Sequence, residues 1–394
     1  MPSQKNSKIK FGLFKYTTEN IGDEIQSIAA RRFLPQVDYL IDRDAIDELK
    51  PKTGEKVKVI MNGWYTHRPE NWPPKNAWLD PLLIAVHIDR KNPKVAESFL
   101  SRQGQDFIKK FGPLGARDKA TEKLLKDNKL PTYFSGCVTL TLQRDTSLPR
   151  QDFILAVDVS PKMLQLLRAQ TNRQVIDIST YYDPDLPTET RFSIAEYFLY
   201  LYQSAFCVVT TRLHAALPSL AFETPILLIK DKNFDKNRYS GLSELVHNVK
   251  ERDYLKDPKQ YDIDNPPRNS NAYLEIRNQL IKTCKAFTRF DNPKHTFRTI
   301  NFKELYASPH FIALFTKAFK STHQQLMLSG DKAYLDRLVK LQSSNLTALG
   351  SELDKTQQAL RETSLKLDSI INSPFWKVTA PLRAVRKKIR RLLR

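Results

Sequence analysis

Three segments of the 394-residue sequence carry residue types that can hold an anion and move a proton. The first is VVTTRLHAALPSLAFETPILLI, residues 208–229. It reads as a buried strand, a turn at Thr210 and Thr211, and a helix whose first residues include Arg212 and His214. A helix N-terminus at the carboxyl end of a parallel strand offers free backbone N–H groups and the positive end of the peptide dipoles, at the place where open α/β sheets bind ligands. A guanidinium there can grip a carboxylate or phosphate through two parallel hydrogen bonds, and an imidazole can clamp phosphate or pass a proton. The competing reading is a surface arginine beside a structurally hydrogen-bonded helix histidine.

The second segment is Glu19-Asn20-Ile21-Gly22-Asp23-Glu24, just after the first expected strand. Gly22 allows close backbone approach to a ligand, and Asp23 either serves the site or caps the helix. The third is GPLGARDKATEKLL, residues 112–125, where Arg117 and Asp118 follow a glycine turn and precede a helix. There the alternative is an N-cap aspartate with its ion-pair arginine. His87, at the end of the apolar run LLIAVHIDR, is a ligand or a structural hydrogen-bonding group. Cys137 reads as a small buried residue without a partner base, and Arg238, before Gly241, is placed to line an acceptor side.

The elements that must position these residues alternate strand and helix, the signature of parallel α/β architecture. Strands are expected at 8–16, 37–41, 57–61 and 82–88, with helices at 22–34, 95–110 and 121–128 and a short apolar stretch at 132–142. A second series starts near residues 143–152: strands at 153–159, 175–178, 206–210 and 225–229, helices at 161–170, 193–204 and 213–222, and a closing helix at 273–287. Short β-branched runs of this kind are buried parallel strands. No G-x-G-x-x-G or Walker-type loop occurs, so nucleotide binding by those routes has no support.

Taken together, the segments resemble the polysaccharide pyruvyl transferase family over about residues 8–290. The matching residues are Asn20, Gly22 and Asp23; Gly115, Arg117, Asp118 and Thr121; the stretch 135–142, Ser-Gly-Cys-Val-Thr-Leu-Thr-Leu; and Thr210, Arg212, Leu213 and His214. Thr211 stands where serine is common and Ala215 where glycine or cysteine is usual. The resemblance implies an α/β fold of two Rossmann-like domains facing across a cleft (GT-B-like), residues 1–147 and 148–290, the second carrying the donor site. It also implies transfer of a pyruvyl group from phosphoenolpyruvate to a sugar of a cell-surface polysaccharide or its lipid-linked precursor, forming a ketal. Arg212, His214, Arg117, Asn20 and Gly22 are then the donor-binding residues, and His214, Asp23 and Asp118 the catalytic ones. No metal or resident cofactor is implied, phosphoenolpyruvate being a co-substrate. The competing functions are a GT-B-type glycosyltransferase whose Arg212 and His214 hold a nucleotide-sugar diphosphate, and a non-catalytic membrane scaffold.

The remaining chain is read as a helical extension, 291–372, and a basic tail, 373–394. Val339, Leu346, Leu353, Leu360 and Leu367 recur every seven residues, a coiled-coil seam and a route to homo-oligomers, with a solvated helix as the alternative. The formal charge is +20, and no acidic residue follows Asp368, whereas eight basic residues do. The tail places Leu382, Val385 and Ile389 on one helical face after Phe375 and Trp376, a pattern that lies on anionic lipid. A nucleic-acid or protein-binding arm is the competing reading, and no nucleic-acid partner is expected. No run of 18 apolar residues occurs, and the N-terminal residues lack the apolar run of a secretory signal, so no leader is expected. Three widely spaced cysteines read as reduced. The expected location is the cytoplasm, peripheral on the cytoplasmic face of the membrane.

Overall fold

The computed structural model describes residues 9–52 and 54–294, together with Gln358, Glu362, Leu365, Lys366 and Ser369, which are helical and exposed. Apart from those five residues, the heptad segment and the basic tail lie outside the described residues.

Two parallel sheets carry the fold. The first contains β1 (Lys10–Lys15), β2 (Tyr39–Asp42), β3 (Val57–Trp64), β4 (Leu79–His87), β5 (Leu114–Ala116) and β6 (Thr132–Phe134), in the order β2-β1-β3-β4-β5-β6. The second contains β7 (Phe153–Val157), β8 (Gln174–Ile178), β9 (Cys207–Thr210), β10 (Ile226–Lys230) and β11 (His247–Lys250), in the order β11-β10-β9-β7-β8. In each sheet the chain runs outward, returns, and continues on the other side of its first strand. The switch points lie between β1 and β3 and between β7 and β9, where crevices form outside the carboxyl ends of the strands. Both sheets belong to one compact unit.

The strands form because their residues are apolar on both faces. Val57, Val59 and Met61 of β3 and Leu83 and Val86 of β4 are buried with Phe99, Ile108 and Leu125 from the helices α2 (Pro93–Leu100), α3 (Arg102–Phe111) and α4 (Lys119–Asp127). In the second sheet, Ile154, Val209, Leu227 and Ile229 pack with Leu164 and Leu167 of α5 (Pro161–Gln170) and Tyr254 of α8 (Glu251–Lys256). Helix α7 (Leu213–Ala221) is apolar almost all round and buried along its whole length, as such a composition requires. It packs with α1 (Gly22–Arg31) and α6 (Thr188–Ser204). Across that junction Arg191 donates to Glu24 Oε1 at 2.5 Å and Arg31 to Glu196 at 2.6 Å.

The sequence pattern left out β5, β11 and α8, and the expected helix at 95–110 is two helices. Ser101 leaves helical geometry with ψ 158°, and its Oγ accepts from the Gly104 N–H at 3.0 Å, so it caps a fresh helix. The closing helix is α9 (Leu274–Thr288). Past it, Lys294 folds back onto the first half: its N–H donates to Arg32 O, and Arg32 Nε donates to Lys294 O, both at 2.8 Å. Among the described residues no helix is long and apolar enough to cross a membrane.

Candidate active site

A cavity of about 510 Å³ opens where the carboxyl ends of the two sheets meet. Trp64 and His87, the last residues of β3 and β4, line it from the first sheet. From the second come Asp158 just after β7, Tyr181 after β8, Arg212 after β9, and Asp231 and Arg238 after β10.

Arg212 is the residue before α7, and its backbone N–H is tied to Thr210 Oγ1 at 2.9 Å. Its Nε donates to Asp158 Oδ2 at 2.8 Å while its guanidinium lies 4.7 Å over the Tyr181 ring. Asp158 adopts a left-handed backbone (φ 51°) that aspartate tolerates better than most residues, and its carboxylate also accepts from the Thr180 N–H. Burial opposes the charge on Arg212, but Asp158 and Tyr181 outweigh it and raise its pKa.

His214 and Arg117 are not among the cavity-lining residues; they are buried with Asp23, next to the half-buried, cavity-lining Arg238. Their charges act on one another: Arg117 and Arg238 both bear on His214, and Asp23 on His214 and Arg117. Burial, then the two arginines, hold the His214 imidazole well below its usual pKa, against the pull of Asp23. Its Nε2 has no hydrogen-bond partner among the described residues. Arg117 is fully buried, and none of its three guanidinium nitrogens has a partner among the described residues. Burial and the nearby Arg238 push its pKa down, with Asp118, Cys137 and Asp23 opposing.

The turn before α1 supports this group. Asn20 Oδ1 accepts from the Gly22 N–H at 2.8 Å, and a methyl group on Gly22 would lie 2.9 Å from His214 Nδ1. Glycine is there because the histidine fills the space. Asp23 accepts from Thr18 Oγ1 at 3.0 Å, Gln26 Nε2 at 3.1 Å and Arg43 Nη1 at 3.1 Å. Burial raises the Asp23 pKa, yet Arg43, His214, Thr18 and Arg238 together bring it below the usual carboxylate value.

Asp118 lies apart from these groups in its bonding. It caps α4 by accepting from the Thr121 N–H at 2.9 Å, and its other oxygen is 2.6 Å from His87 Nδ1. The cap reading holds for Asp118, while its expected ion pair with Arg117 does not form among the described residues. Cys137 is buried, and burial raises its thiol pKa despite Arg117. Among the described residues no cluster of three or more histidines, cysteines or acids is placed to hold a metal.

Asp158 and Trp64 escaped the sequence pattern, and Arg238 was placed only on an acceptor side. In the structure Arg238 lines the cavity, lies 4.4 Å over Trp64, and has a buried Nε without a partner among the described residues. Its sequence signal is faint, a lone arginine among turn residues two positions before Ser240-Gly241.

No curated protein matches the chain significantly. Similar solved structures include an uncharacterised protein of Klebsiella pneumoniae subsp. pneumoniae NTUH-K2044, with 12% identity over 61% of this chain and 92% of that one and a TM-score of 0.40. Another is the UDP-GlcNAc 2-epimerase of Methanocaldococcus jannaschii, with 12% identity over 71% of this chain and 99% of that one and a TM-score of 0.41. The polysaccharide pyruvyl transferase profile matches residues 20–233, more than half of the chain and nearly all of the residues just described. That span runs from Asn20 through Arg117, Asp118, Arg212 and His214, and this chain belongs to the polysaccharide pyruvyl transferase family.

Proposed function

We propose that the enzyme transfers the pyruvyl group of phosphoenolpyruvate to two hydroxyls of a sugar in a cell-surface polysaccharide or its lipid-linked precursor, forming a pyruvate ketal. The observation that carries this reading is the pair Arg117 and Arg238, neighbouring guanidinium groups with buried nitrogens that have no partner among the described residues. A buried cation without a counter-ion is costly by several kcal/mol, about the penalty that a bound anion removes. Phosphoenolpyruvate brings a carboxylate and a phosphate, each able to take two parallel hydrogen bonds from a guanidinium.

Arg117, Arg212 and His214 bind the donor in this reading, with Arg238 added to them, while Asn20 and Gly22 shape the turn that holds His214. Asp23 keeps the cluster polarised and Asp118 serves proton transfer. Residues 1–147 and 148–290 act as two Rossmann-like domains, GT-B-like in arrangement, with the sugar entering between them. Residues 291–372 supply a helical extension, and the tail 373–394 brings the enzyme to the cytoplasmic face of the membrane. No resident cofactor takes part.

The test is thermal-shift titration of the full-length protein with phosphoenolpyruvate against a panel of nucleotide-sugars. Phosphoenolpyruvate should stabilise the wild type, and Arg212→Lys, which keeps charge but loses the planar fork, should weaken that effect. Stabilisation by a nucleotide-sugar alone would replace pyruvyl transfer with glycosyl transfer.

A further inference from the structure

We propose that His87 carries the proton during pyruvyl transfer and that Asp118 is its positioning residue. This rests on the phosphoenolpyruvate reading above. His87 closes β4 just beyond a bulge: the register with β3 slips by one residue between Met61 and Gly63, and Ala85 takes a left-handed φ of 54°. The Ala85 N–H is recovered by Ser135 Oγ at 3.1 Å. Such a bulge re-aims the side chains that follow it, and here it precedes His87, the one histidine among the described residues that lines the cavity.

The ring is held by two contacts. Nδ1 meets Asp118 Oδ2 at 2.6 Å, and that carboxylate is itself held as the cap of α4. The Trp64 ring stands edge-on to the imidazole at 5.8 Å. A carboxylate accepts, so Nδ1 carries the hydrogen and Nε2 is left with the lone pair. Nε2 makes no hydrogen bond to the described residues, and His87 is only 2% exposed although it lines the cavity. Asp118 and Arg117 act on the ring from the turn after β5, Arg238 acts from the loop after β10, and Asp89 and Lys91 line the same cavity. Burial and the two arginines lower its pKa, and Asp118 opposes them. A bound phosphate and carboxylate would offset the arginines and favour the imidazolium.

The step balances with this one group. Imidazolium Nε2–H gives its proton to C3 of phosphoenolpyruvate, the C2=C3 π pair forms the new C–H bond, and C2 becomes an oxocarbenium centre. The first sugar hydroxyl bonds to C2, and its proton restores Nε2–H. The bond between C2 and the phosphate-ester oxygen then breaks with its electron pair on phosphate, the second hydroxyl bonds to C2, and its proton leaves on hydrogen phosphate.

The experiment has two arms on the full-length protein. In the first, diethyl pyrocarbonate should acylate His87 Nε2, mapped by mass spectrometry, and phosphoenolpyruvate should protect it. In the second, phosphate release from phosphoenolpyruvate is followed with a panel of p-nitrophenyl hexosides for wild type, His87→Gln and Asp118→Asn. Asparagine keeps the helix cap but donates to Nδ1, which reverses the tautomer. Both variants should keep the donor KM and lose kcat on the order of 10²–10⁴-fold. The fall of kcat with rising pH in wild type should vanish in His87→Gln. Donor binding with His87 unmodified or unprotected overturns the proposal and spares the donor reading, as does a His87→Gln rate within about twofold of wild type, since general acid–base groups contribute far more. If no hexoside is turned over, the protection arm decides alone. Absence of any thermal shift with phosphoenolpyruvate overturns both.

Discussion

The Arg238 guanidinium lies 4.4 Å over the Trp64 ring, a residue of the second half of the unit stacked on the last residue of β3. The indole face shields the cation from water and fixes its plane, which favours an anion bound bidentately. Arg238→Ala should raise the donor dissociation constant by about ten- to a hundredfold, the worth of a charge-assisted hydrogen bond of about 1.5–3 kcal/mol. Arg238→Lys should fall between, since it keeps charge and loses the fork. Calorimetric titration with phosphoenolpyruvate measures this, and wild-type affinity in Arg238→Ala would remove the residue from the donor site.

A second expectation concerns Gly22. An added Cβ would stand 2.9 Å from both Asn20 Oδ1 and His214 Nδ1 and 3.0 Å from His214 Cβ. The imidazole is buried at the start of α7 and cannot swing aside freely, so Gly22→Ala should destabilise by about 1–3 kcal/mol, as overpacking does. It should also weaken donor binding more than an alanine on the exposed face of α4, such as Lys123→Ala. Chemical denaturation and donor titration of the two variants check both parts; a fully stable Gly22→Ala would show that the turn relaxes at no cost.

The recognition segments were legible because their chemistry coincides with local signals. Asp118 opens a helix, Gly22 follows a strand, and Arg212 and His214 start a helix after a buried run. The two parallel α/β series followed from the alternation of apolar strands and helices, whereas the strand order, with its switch points, is set by tertiary packing that no local pattern shows. The three-residue β5 is too short to display any period, and it meets β4 through a single register pair, Val86 with Ala116. Edge strand β11, His-Asn-Val-Lys, alternates half-buried and exposed residues and resembles a loop in composition. The pairing of His87 with Asp118 spans 31 residues, and the approach of Arg238 to Trp64 spans far more, so neither leaves a local trace.

Acid should destabilise the folded protein through its buried histidines. Burial and the neighbouring arginines lower the pKa of His214 strongly and that of His87 as well, so both stay neutral in the folded state where they are protonated in the unfolded chain. The unfolded state then binds more protons, and stability is lost as pH falls below about 6.5 towards the folded values, by up to about 1.4 kcal/mol per pH unit for each group. His214→Gln cannot titrate and should flatten the dependence. Urea unfolding of the two proteins at pH 7.5 and pH 5.5 is the measurement, and parallel losses in both would assign the acid sensitivity elsewhere.

The final expectation concerns where the enzyme works. Eight basic residues follow Asp368 with no acidic residue among them, and Leu382, Val385 and Ile389 lie at the spacing of one helical face after Trp376. Each basic group near an anionic surface contributes about 1 kcal/mol, an attraction that salt screens, while the apolar stripe is indifferent to salt. The full chain should therefore bind phosphatidylserine vesicles at low salt and keep a residual affinity at high salt. Deleting residues 373–394 should abolish that binding and spare turnover of a soluble acceptor, because the cavity and its arginines are built from residues upstream of Lys294. A lipid-linked acceptor should then be used less well, since surface concentration no longer assists the encounter. Tight binding to RNA or DNA without binding to anionic vesicles would give the basic arm a different partner.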